Sequence, residues 1–257
     1  MTYSLGIDIG STAVKGVLCN GEVLEWALSP TGWSPRDAGS VMIADLLAHR
    51  GLNREDLGAL VATGYGRNSV SDATKRVTEI TCHARGAHFL APEARTVLDI
   101  GGQDSKVIVI GADGGVADFA MNDKCAAGTG RFFQIMSQRL YYDVADFGAV
   151  PPEGPLQPLS SMCTVFAESE VVSHLAKGVK REDLARGLLK SIAVRSAGML
   201  ARVGFREPLF FSGGLSRSPS LAFFIEKELG STVTVHEKSQ FAGALGAALI
   251  GWEACKK

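Results

Sequence analysis

The chain has 257 residues, and its 26 Lys and Arg nearly balance its 27 Asp and Glu, which gives a net charge of −1. This balance excludes a protein that is held to nucleic acid by a basic field. Apolar residues form 46% of the chain, which is enough for a sizeable core and too much for a disordered protein. No run approaches the ~18 apolar residues of a membrane span, and the first residues lack the basic start of a signal peptide. We therefore expect a cytoplasmic protein without a membrane partner.

The N-terminal part of the chain predicts three strands, followed by helices that alternate with a strand. Residues 7–18, IDIGSTAVKGVL, have the pattern of a strand, a glycine turn and a second strand. Asn20-Gly21 then marks a hairpin that leads to a third strand at 22–28. Further along, the pattern predicts helices at 40–49 and 78–90, a buried strand at 59–64 and a surface loop over 29–40.

Residues 98–109, LDIGGQDSKVIV, repeat the first strand-turn-strand unit. Aligned without a gap, Asp99 falls on Asp8 and Lys106 falls on Lys15. A third strand follows at 116–121, as it does in the first copy. An internal repeat of this kind predicts two similar lobes. We place lobe I at 1–95, completed by a C-terminal helix at 240–257, and lobe II at 96–239.

The rest of the second half also alternates between helices and strands. Its predicted helices are 129–141, 164–177, 182–203, 218–229 and 240–252, its predicted strands are 208–214 and 232–236, and a Pro-rich surface loop covers 150–158. Alternation of this kind predicts an α/β protein with mixed sheets. The Pro-rich loop and the 29–40 segment are where the choice of a partner would reside.

The two glycine turns have the composition of a nucleotide site. In a glycine turn, successive backbone N–H groups are unobstructed by side chains and can together bind an anion. Ser11 and Thr12 add hydroxyl donors, and Lys15 adds a positive charge. Two lobes built alike would bring both turns together across a cleft. No Walker A pattern occurs in the chain, which disfavours the P-loop class.

Carboxylates in these turns predict metal-assisted chemistry. Asp8 and Asp99 end buried strands, where each costs free energy unless it is paired or bound to a cation. Facing each other, they suit Mg²⁺ held through water beside phosphate oxygens. Gln103 and Asp104 are placed to orient or activate a water near a terminal phosphate. We therefore predict Asp8, Asp99, Gln103 and Asp104 as catalytic residues.

Several segments resemble one ATPase superfamily. IDIGSTAVKG, DIGGQDSK, FSGGLS and GALGAA look like the phosphate-one, phosphate-two, adenosine and hinge segments of the actin, sugar kinase and Hsp70-like ATPases. The resemblance implies two ribonuclease-H-like lobes hinged around Mg-ATP or ADP. The small residues of GALGAA at 243–248 are predicted to serve close helix packing. The predicted cofactor-binding residues are Gly10, Ser11, Thr12, Ala13, Val14, Lys15, Gly101, Gly102, Gln103, Gly130, Gly213, Gly214 and Gln240.

Two of the five cysteines, Cys125 and Cys163, lie just ahead of predicted helices. N–H groups at a helix start stabilise negative charge, and so would stabilise a cluster of iron and thiolate sulfur. Ser160 or Ser161 is placed to cap the second of these helices. A cluster with four thiolate ligands needs four cysteines, and these two segments supply two. The residues alone therefore leave open that the two cysteines are unrelated.

A closer resemblance covers the chain from about residue 4 to 251. MNDKCAAGTGRF, CTVFAESEV, ATGYGRN and EITCHARGA, together with DIGGQDSK, resemble activator proteins of 2-hydroxyacyl-CoA dehydratases. In that family two identical subunits share one [4Fe–4S] cluster, and the matching ligands here are Cys125 and Cys163 of both chains. The implied function is ATP-driven transfer of a low-potential electron to a partner dehydratase or to a related double-cubane iron–sulfur protein. Reduced ferredoxin or flavodoxin is the implied donor, within anaerobic metabolism.

Other functions stay open on the same scaffold. One is a small-molecule kinase, which would need a sugar or acid pocket and would have no use for the two cysteines. Another is an ATPase subunit of the benzoyl-CoA reductase type, built into a larger complex. A third is a nucleotide sensor without enzymatic activity.

Overall fold

The computed structural model describes residues 2–160 and 163–256, and the chain forms two compact units. The first unit contains the chain up to Val97, the stretch Ile108–Ala117 and the C-terminal part from His236. The second contains Leu98–Val107 and Asp118–Val235. These limits cut through the strands in the middle of the chain, so the lobe boundaries expected after residues 95 and 239 stay a prediction.

Five strands form the first sheet, in the order β3–β2–β1–β4–β5. Their bounds are β1 Tyr3–Ile9, β2 Ala13–Cys19, β3 Val23–Pro30, β4 Leu57–Thr63 and β5 Lys75–Arg76. β1 pairs antiparallel with β2 and parallel with β4, so the sheet is mixed, as the sequence predicts. β1 is buried from its second residue to its last, because it lies in the centre of a sheet that is covered on both faces.

Helices from distant parts of the chain cover this sheet. They are α1 (Pro35–His49), α2 (Glu79–Leu90) and α8 (Ala242–Cys255). In β2, Leu18 belongs to an apolar cluster with α1, whereas its neighbour Val17 belongs to a cluster with α8. Successive strand residues point to opposite faces, so α1 and α8 cover opposite faces of the sheet.

α2 and α8 meet at backbone distance. A Cβ atom at Gly86 would lie 1.9 Å from the Ala242 carbonyl oxygen, and one at Gly246 would lie 1.8 Å from the Cys82 carbonyl oxygen. Neither position has room for a side chain. The prediction that the small residues of the 243–248 segment serve close helix packing is therefore confirmed at Gly246.

The second sheet has the order β10–β9–β6–β7–β8. Its strands are β6 Thr96–Ile100, β7 Ser105–Ile110, β8 Val116–Asn122, β9 Leu209–Gly213 and β10 Val233–Thr234, and the remaining helices are α3 Gly130–Arg139, α4 Val144–Gly148, α5 Thr164–Ala176, α6 Arg181–Arg202 and α7 Pro219–Leu229. Phe133 of α3 and Phe147 of α4 meet edge to face, with ring centroids 4.6 Å apart, inside the apolar core of the second unit. Among the described residues, no helix is both long and apolar enough to cross a membrane.

The surface loop expected over 29–40 is wrong. β3 runs to Pro30, and α1 begins at Pro35. The Ser34 hydroxyl caps this helix by accepting the N–H of Asp37 at 3.3 Å, and a proline in the first turn loses no hydrogen bond. The Ser-Pro pair in the sequence was the signal for this helix start.

The Pro-rich segment 150–158 lacks regular structure, as expected, but it is anchored to α6. The guanidinium group of Arg186 donates to the carbonyl oxygens of Pro155 and Pro151, at 2.6 and 3.1 Å. The N–H of Gln157 donates to the carbonyl oxygen of Asp183 at 3.0 Å. These bonds fix the loop on the helix that contributes most to the second core.

The cap expected for α5 is wrong as well. Cys163 itself occupies the N-cap position, and its carbonyl oxygen accepts the N–H of Ala167 at 2.8 Å. Ser160 instead donates through its N–H and its hydroxyl to the carboxylate of Glu170, at 2.8 and 3.0 Å. Ser161, the other expected cap, lies outside the described residues.

Gly86→Ala should lower the free energy of unfolding by about 1–3 kcal/mol, because the new methyl group would overlap the Ala242 carbonyl. Urea unfolding followed by circular dichroism measures the change. Gly198→Ala is the matched control, since Gly198 is also helical but has open space where its Cβ would lie. The control should be neutral or stabilising by up to about 1 kcal/mol. Equal losses in both variants would contradict the close approach.

Candidate functional site

The first predicted turn joins β1 to β2 and closes on itself. The N–H of Gly10 donates to the carbonyl oxygen of Ala13 at 3.1 Å. Asp8 is only 4% exposed at the end of β1, and the ammonium group of Lys15 lies 3.2 Å from its Oδ2. These two residues are direct partners in the antiparallel register, so the hairpin itself brings the ammonium group to the carboxylate.

The second turn has the same closure. The N–H of Gly101 donates to the carbonyl oxygen of Asp104 at 2.9 Å. The ammonium group of Lys106 lies 3.5 Å from Asp99 Oδ2 and 2.7 Å from Asp104 Oδ2. Its side chain is 2% exposed, so a single buried cation is shared by two carboxylates. The repeat seen in the sequence is therefore a repeat of one electrostatic arrangement.

These pairs change the interpretation of the turns. Lys15 was expected to bind phosphate, whereas its ammonium group contacts Asp8 Oδ2 in the folded chain. A buried carboxylate without a partner is costly, so each lysine makes it possible to keep an aspartate at the end of a buried strand. The net charge of each turn is smaller than the aspartates alone would suggest.

The carbonyl oxygens of the first turn are held by Thr31, which the sequence analysis did not single out. Its hydroxyl donates to the carbonyl oxygen of Gly10 at 2.7 Å, and its N–H donates to the carbonyl oxygen of Thr12 at 3.0 Å. Thr12 is exposed, Ser11 is half-buried, and the side chain of Val14 belongs to the core. The hydroxyl groups of the turn thus reach the surface, while Val14 offers only its main chain.

The carbonyl oxygens of the second turn are held by the start of α3. The N–H groups of Gly130 and Arg131 donate to the carbonyl oxygens of Gly101 and Gly102, each at 2.8 Å. A Cβ atom at Gly130 would lie 3.0 Å from the Gly101 oxygen, so a side chain there would crowd the joint. Gln103, at the tip of the turn, is exposed.

A third glycine turn, residues 212–214 at the end of β9, contacts the carboxylate of Asp99. Ser212 donates through its hydroxyl to Asp99 Oδ1 at 2.8 Å. Gly213 has a φ of +84°, and a Cβ atom there would lie 2.2 Å from the carbonyl oxygen of Ile100. Gly214 has open space around it. Within the second unit, the structure therefore brings the 99–106 turn, the 212–214 turn and Gly130 together.

A buried histidine beside Asp8 was missed by the sequence analysis. His83 on α2 is 4% exposed, and a Cβ atom at Gly243 would lie 2.9 Å from its Nε2 and 3.1 Å from Asp8 Oδ2. On the other side, Gly64 has a φ of +89°, and its Cβ would lie 2.5 Å from Asp8 Oδ1. Gln240, also predicted for this site, is half-buried in the single helical turn Ser239–Phe241 ahead of α8.

The cysteines fall into two classes. Cys19 and Cys82 are buried, and burial raises the pKa of Cys19 to about 11 and that of Cys82 to about 12. Both are therefore poor thiolates at neutral pH. Cys125 is half-buried and Cys163 is exposed, and both belong to the second unit. Cys255, also half-buried, ends α8.

The two accessible cysteines of the second unit have different relations to their helices. Cys163 is the N-cap residue of α5, so it lies directly ahead of the helix, as expected. Cys125 lies in a loop five positions ahead of Gly130, and the first two N–H groups of α3 are already bonded to the second turn. These two N–H groups are therefore used by the turn, and a stabilising role of the helix start at the Cys125 sulfur stays a prediction. Within residues 2–160 and 163–256, no three His, Cys, Asp or Glu side chains group as a metal site.

Two mixed α/β units with paired glycine turns are typical of ATPases with the actin and sugar kinase fold. A ROK family glucokinase from Streptomyces griseus, solved with glucose and AMPPNP, matches 96% of this chain and 98% of its own with a TM-score of 0.62; at 15% identity this shows the fold alone. The chain belongs to the BadF/BadG/BcrA/BcrD ATPase family, whose model matches residues 5–251. The predicted fold class and ATPase activity are thus confirmed.

Two solved structures are similar over nearly the whole chain. Component A of (R)-2-hydroxyglutaryl-CoA dehydratase from Acidaminococcus fermentans is 39% identical, with a TM-score of 0.95 and full coverage of both chains. The activator of 2-hydroxyisocaproyl-CoA dehydratase from Clostridium difficile, with bound ADPNP, is 41% identical with a TM-score of 0.92, over 99% of this chain and 96% of its own. The resemblance to dehydratase activators predicted from the motifs is confirmed.

Lys106→Met should lower the free energy of unfolding by about 3–5 kcal/mol, because it leaves two carboxylates facing each other without the buried cation. Lys15→Met should cost clearly less, since this lysine pairs with one carboxylate and its side chain is 16% exposed. Chemical denaturation of both variants at pH 7 gives the comparison. A loss for Lys15→Met as large as that for Lys106→Met would contradict the unequal burial of the two pairs.

Proposed function

We propose that the chain is an ATP-driven activator that passes a low-potential electron to a partner iron–sulfur enzyme. The partner is a 2-hydroxyacyl-CoA dehydratase or a related double-cubane protein. The observation that carries this proposal is the match to dehydratase activators over nearly the full length of both chains. A small-molecule kinase of the same fold would give no role to the accessible cysteines of the second unit.

The first part of the proposal is Mg-ATP binding by the glycine turns. The N–H groups of Ser11, Thr12, Ala13, Gly102 and Gln103, with the hydroxyls of Ser11 and Thr12, would bind phosphate oxygens, and Gly213, Gly214 and Gln240 would approach the nucleoside. The carbonyl oxygens of both turns are already held from one side, by Thr31 and by the start of α3. Because N–H and C=O point in opposite directions across a peptide unit, this leaves the N–H groups for an anion.

The second part concerns hydrolysis. Asp8 and Asp99 would hold Mg²⁺ through water, while the ammonium groups of Lys15 and Lys106 pair with these two buried carboxylates. The exposed Gln103 would orient the attacking water, and Asp104 would assist it. The N–H of Gly130 is bonded to the turn, so we propose that Gly130 supports the nucleotide site from behind and does not bind phosphate itself.

The third part is a [4Fe–4S] cluster held by Cys125 and Cys163. Such a cluster takes four thiolates, and when bound it carries one electron at low potential. The residues fit half of such a site, because these two cysteines are accessible whereas Cys19 and Cys82 are buried with raised pKa values. A second copy of the chain, related by a two-fold axis, would supply the other two thiolates. We accordingly propose a homodimer with one cluster, reduced by ferredoxin or flavodoxin.

Asp8→Asn and Asp99→Asn should each slow Mg-dependent ATP hydrolysis by about 10²-fold or more, because each removes negative charge beside the proposed metal. Asp45→Asn, on the exposed side of α1, is the control and should hydrolyse ATP at the normal rate. Phosphate release under anaerobic conditions is the measurement. Normal rates in both turn variants would refute the assignment.

Cys125→Ala and Cys163→Ala should each abolish the cluster while ATP binding persists, since neither cysteine belongs to the glycine turns. Anaerobically purified protein is assayed for iron and sulfide and for its mass in solution, and about four irons per two chains are expected. Cys255→Ala should keep the full iron content, because that cysteine ends α8 in the other unit. Four irons per single chain, or a full cluster in either of the first two variants, would overturn the shared site.

A further inference from the structure

The loop that carries Cys125 is fixed through its carbonyl oxygens. We define the Cys125 segment as residues 123–129, between β8 and α3. At its start, the side-chain amide of Asn122 donates to the carbonyl oxygens of Cys125 and Ala127, at 2.8 and 3.4 Å. At its end, Thr129 donates through its hydroxyl and its N–H to the carbonyl oxygen of Ala126, at 2.6 and 3.0 Å. The segment therefore moves with β8 and with the start of α3.

The start of α3 is in turn bonded to the second glycine turn. The first N–H groups of a helix lack partners within the helix, and here two of them have the carbonyl oxygens of Gly101 and Gly102 as acceptors, at 2.8 Å. Gly130 makes the joint tight, because a Cβ atom there would lie 3.0 Å from the Gly101 oxygen and 3.2 Å from the Gly102 Cα. The second turn is thus hydrogen-bonded to Gly130 and Arg131, and Gly130 directly follows the Cys125 segment in the chain.

Because peptide units are planar, the oxygens that bind α3 and the N–H groups of the turn move together. The carbonyl of Gly101 and the N–H of Gly102 belong to one rigid unit, and so do the carbonyl of Gly102 and the N–H of Gln103. In a trans peptide the two groups point to opposite sides. The oxygens that hold α3 are therefore on the reverse side of the N–H groups proposed to bind phosphate.

We propose that these two peptide units connect the nucleotide site to Cys125, with Gly130 as the positioning residue. The inference rests on the proposed function of the turn as a phosphate site. An anion that aligns the N–H groups of Gly102 and Gln103 must turn the same peptide planes, and this shifts the acceptors of the first two α3 N–H groups. The start of α3 follows, and the Cys125 segment follows with it.

Amide hydrogen exchange tests the first step without a variant. The N–H groups of Gly130 and Arg131 are the donors in the joint, so a non-hydrolysable ATP analogue should change their exchange rates. Allosteric coupling usually changes affinities by about 5–150-fold, and we expect a change of at least about threefold in these rates. Amides in the middle of α6 serve as the internal reference. Bound analogue with unchanged exchange at both positions would overturn the proposal.

Alkylation of Cys125 tests the second step. In cluster-free protein, the rate of iodoacetamide modification at Cys125, followed by peptide mass spectrometry, should differ by at least about threefold with and without the analogue. Gly130→Ala should bring this ratio close to one, because the methyl group would crowd the Gly101 oxygen at 3.0 Å and loosen the two hydrogen bonds of the joint. Gly198→Ala, with open space at its Cβ, should keep the ratio of the unmodified chain.

Calorimetric binding of the same analogue separates this inference from the proposed function. If the unmodified chain does not bind the analogue, both the nucleotide site and the connection are refuted. If it binds and Gly130→Ala also binds but keeps the normal alkylation ratio, only the connection is refuted. If Gly130→Ala fails to fold, the exchange rates of Gly130 and Arg131 in the unmodified chain decide alone.

Discussion

A carboxylate that is buried at the end of a strand, with a lysine opposite it on the next strand, governs the architecture of both units. Asp8 with Lys15 and Asp99 with Lys106 each join the two strands that flank a glycine turn. Burying either carboxylate alone would cost several kcal/mol, so the lysine is a condition for the turn and not an addition to it. Around this pair, the carbonyl oxygens are held from one side, and the N–H groups are left for a ligand.

The two turns reach this arrangement by different means. In the first, a single residue, Thr31, holds two carbonyl oxygens through its hydroxyl and its N–H, whereas in the second the start of α3 does so. The second turn is therefore bonded directly to a helix of its own unit, and that helix continues from the loop of Cys125. The two hairpins therefore share the same Asp–Lys pair, but one is held by Thr31 and the other by the start of α3.

Much of this could be predicted from the sequence, because the determinants are local. The D-I-G pattern with a lysine seven positions on fixes a hairpin, and the alternation of helices and strands fixes the fold class. Thr31 and His83 could not be predicted as neighbours of the turn, because their places depend on how β3 and α2 pack. The start of α1 is a different case, since Ser34 and Pro35 carried a local signal that the loop interpretation overlooked.

The close contact between α2 and α8 has a consequence for the order in which the protein is made. α8 packs on the sheet of the first unit and on α2, yet it comes from the last residues of the chain, whereas the second unit ends at Val235. Domains fold as their sequence leaves the ribosome. The second unit therefore has its whole sequence first, and the first unit is completed only once α8 has been synthesised as well. Until then, the sheet face that α8 covers is open to water and to chaperones.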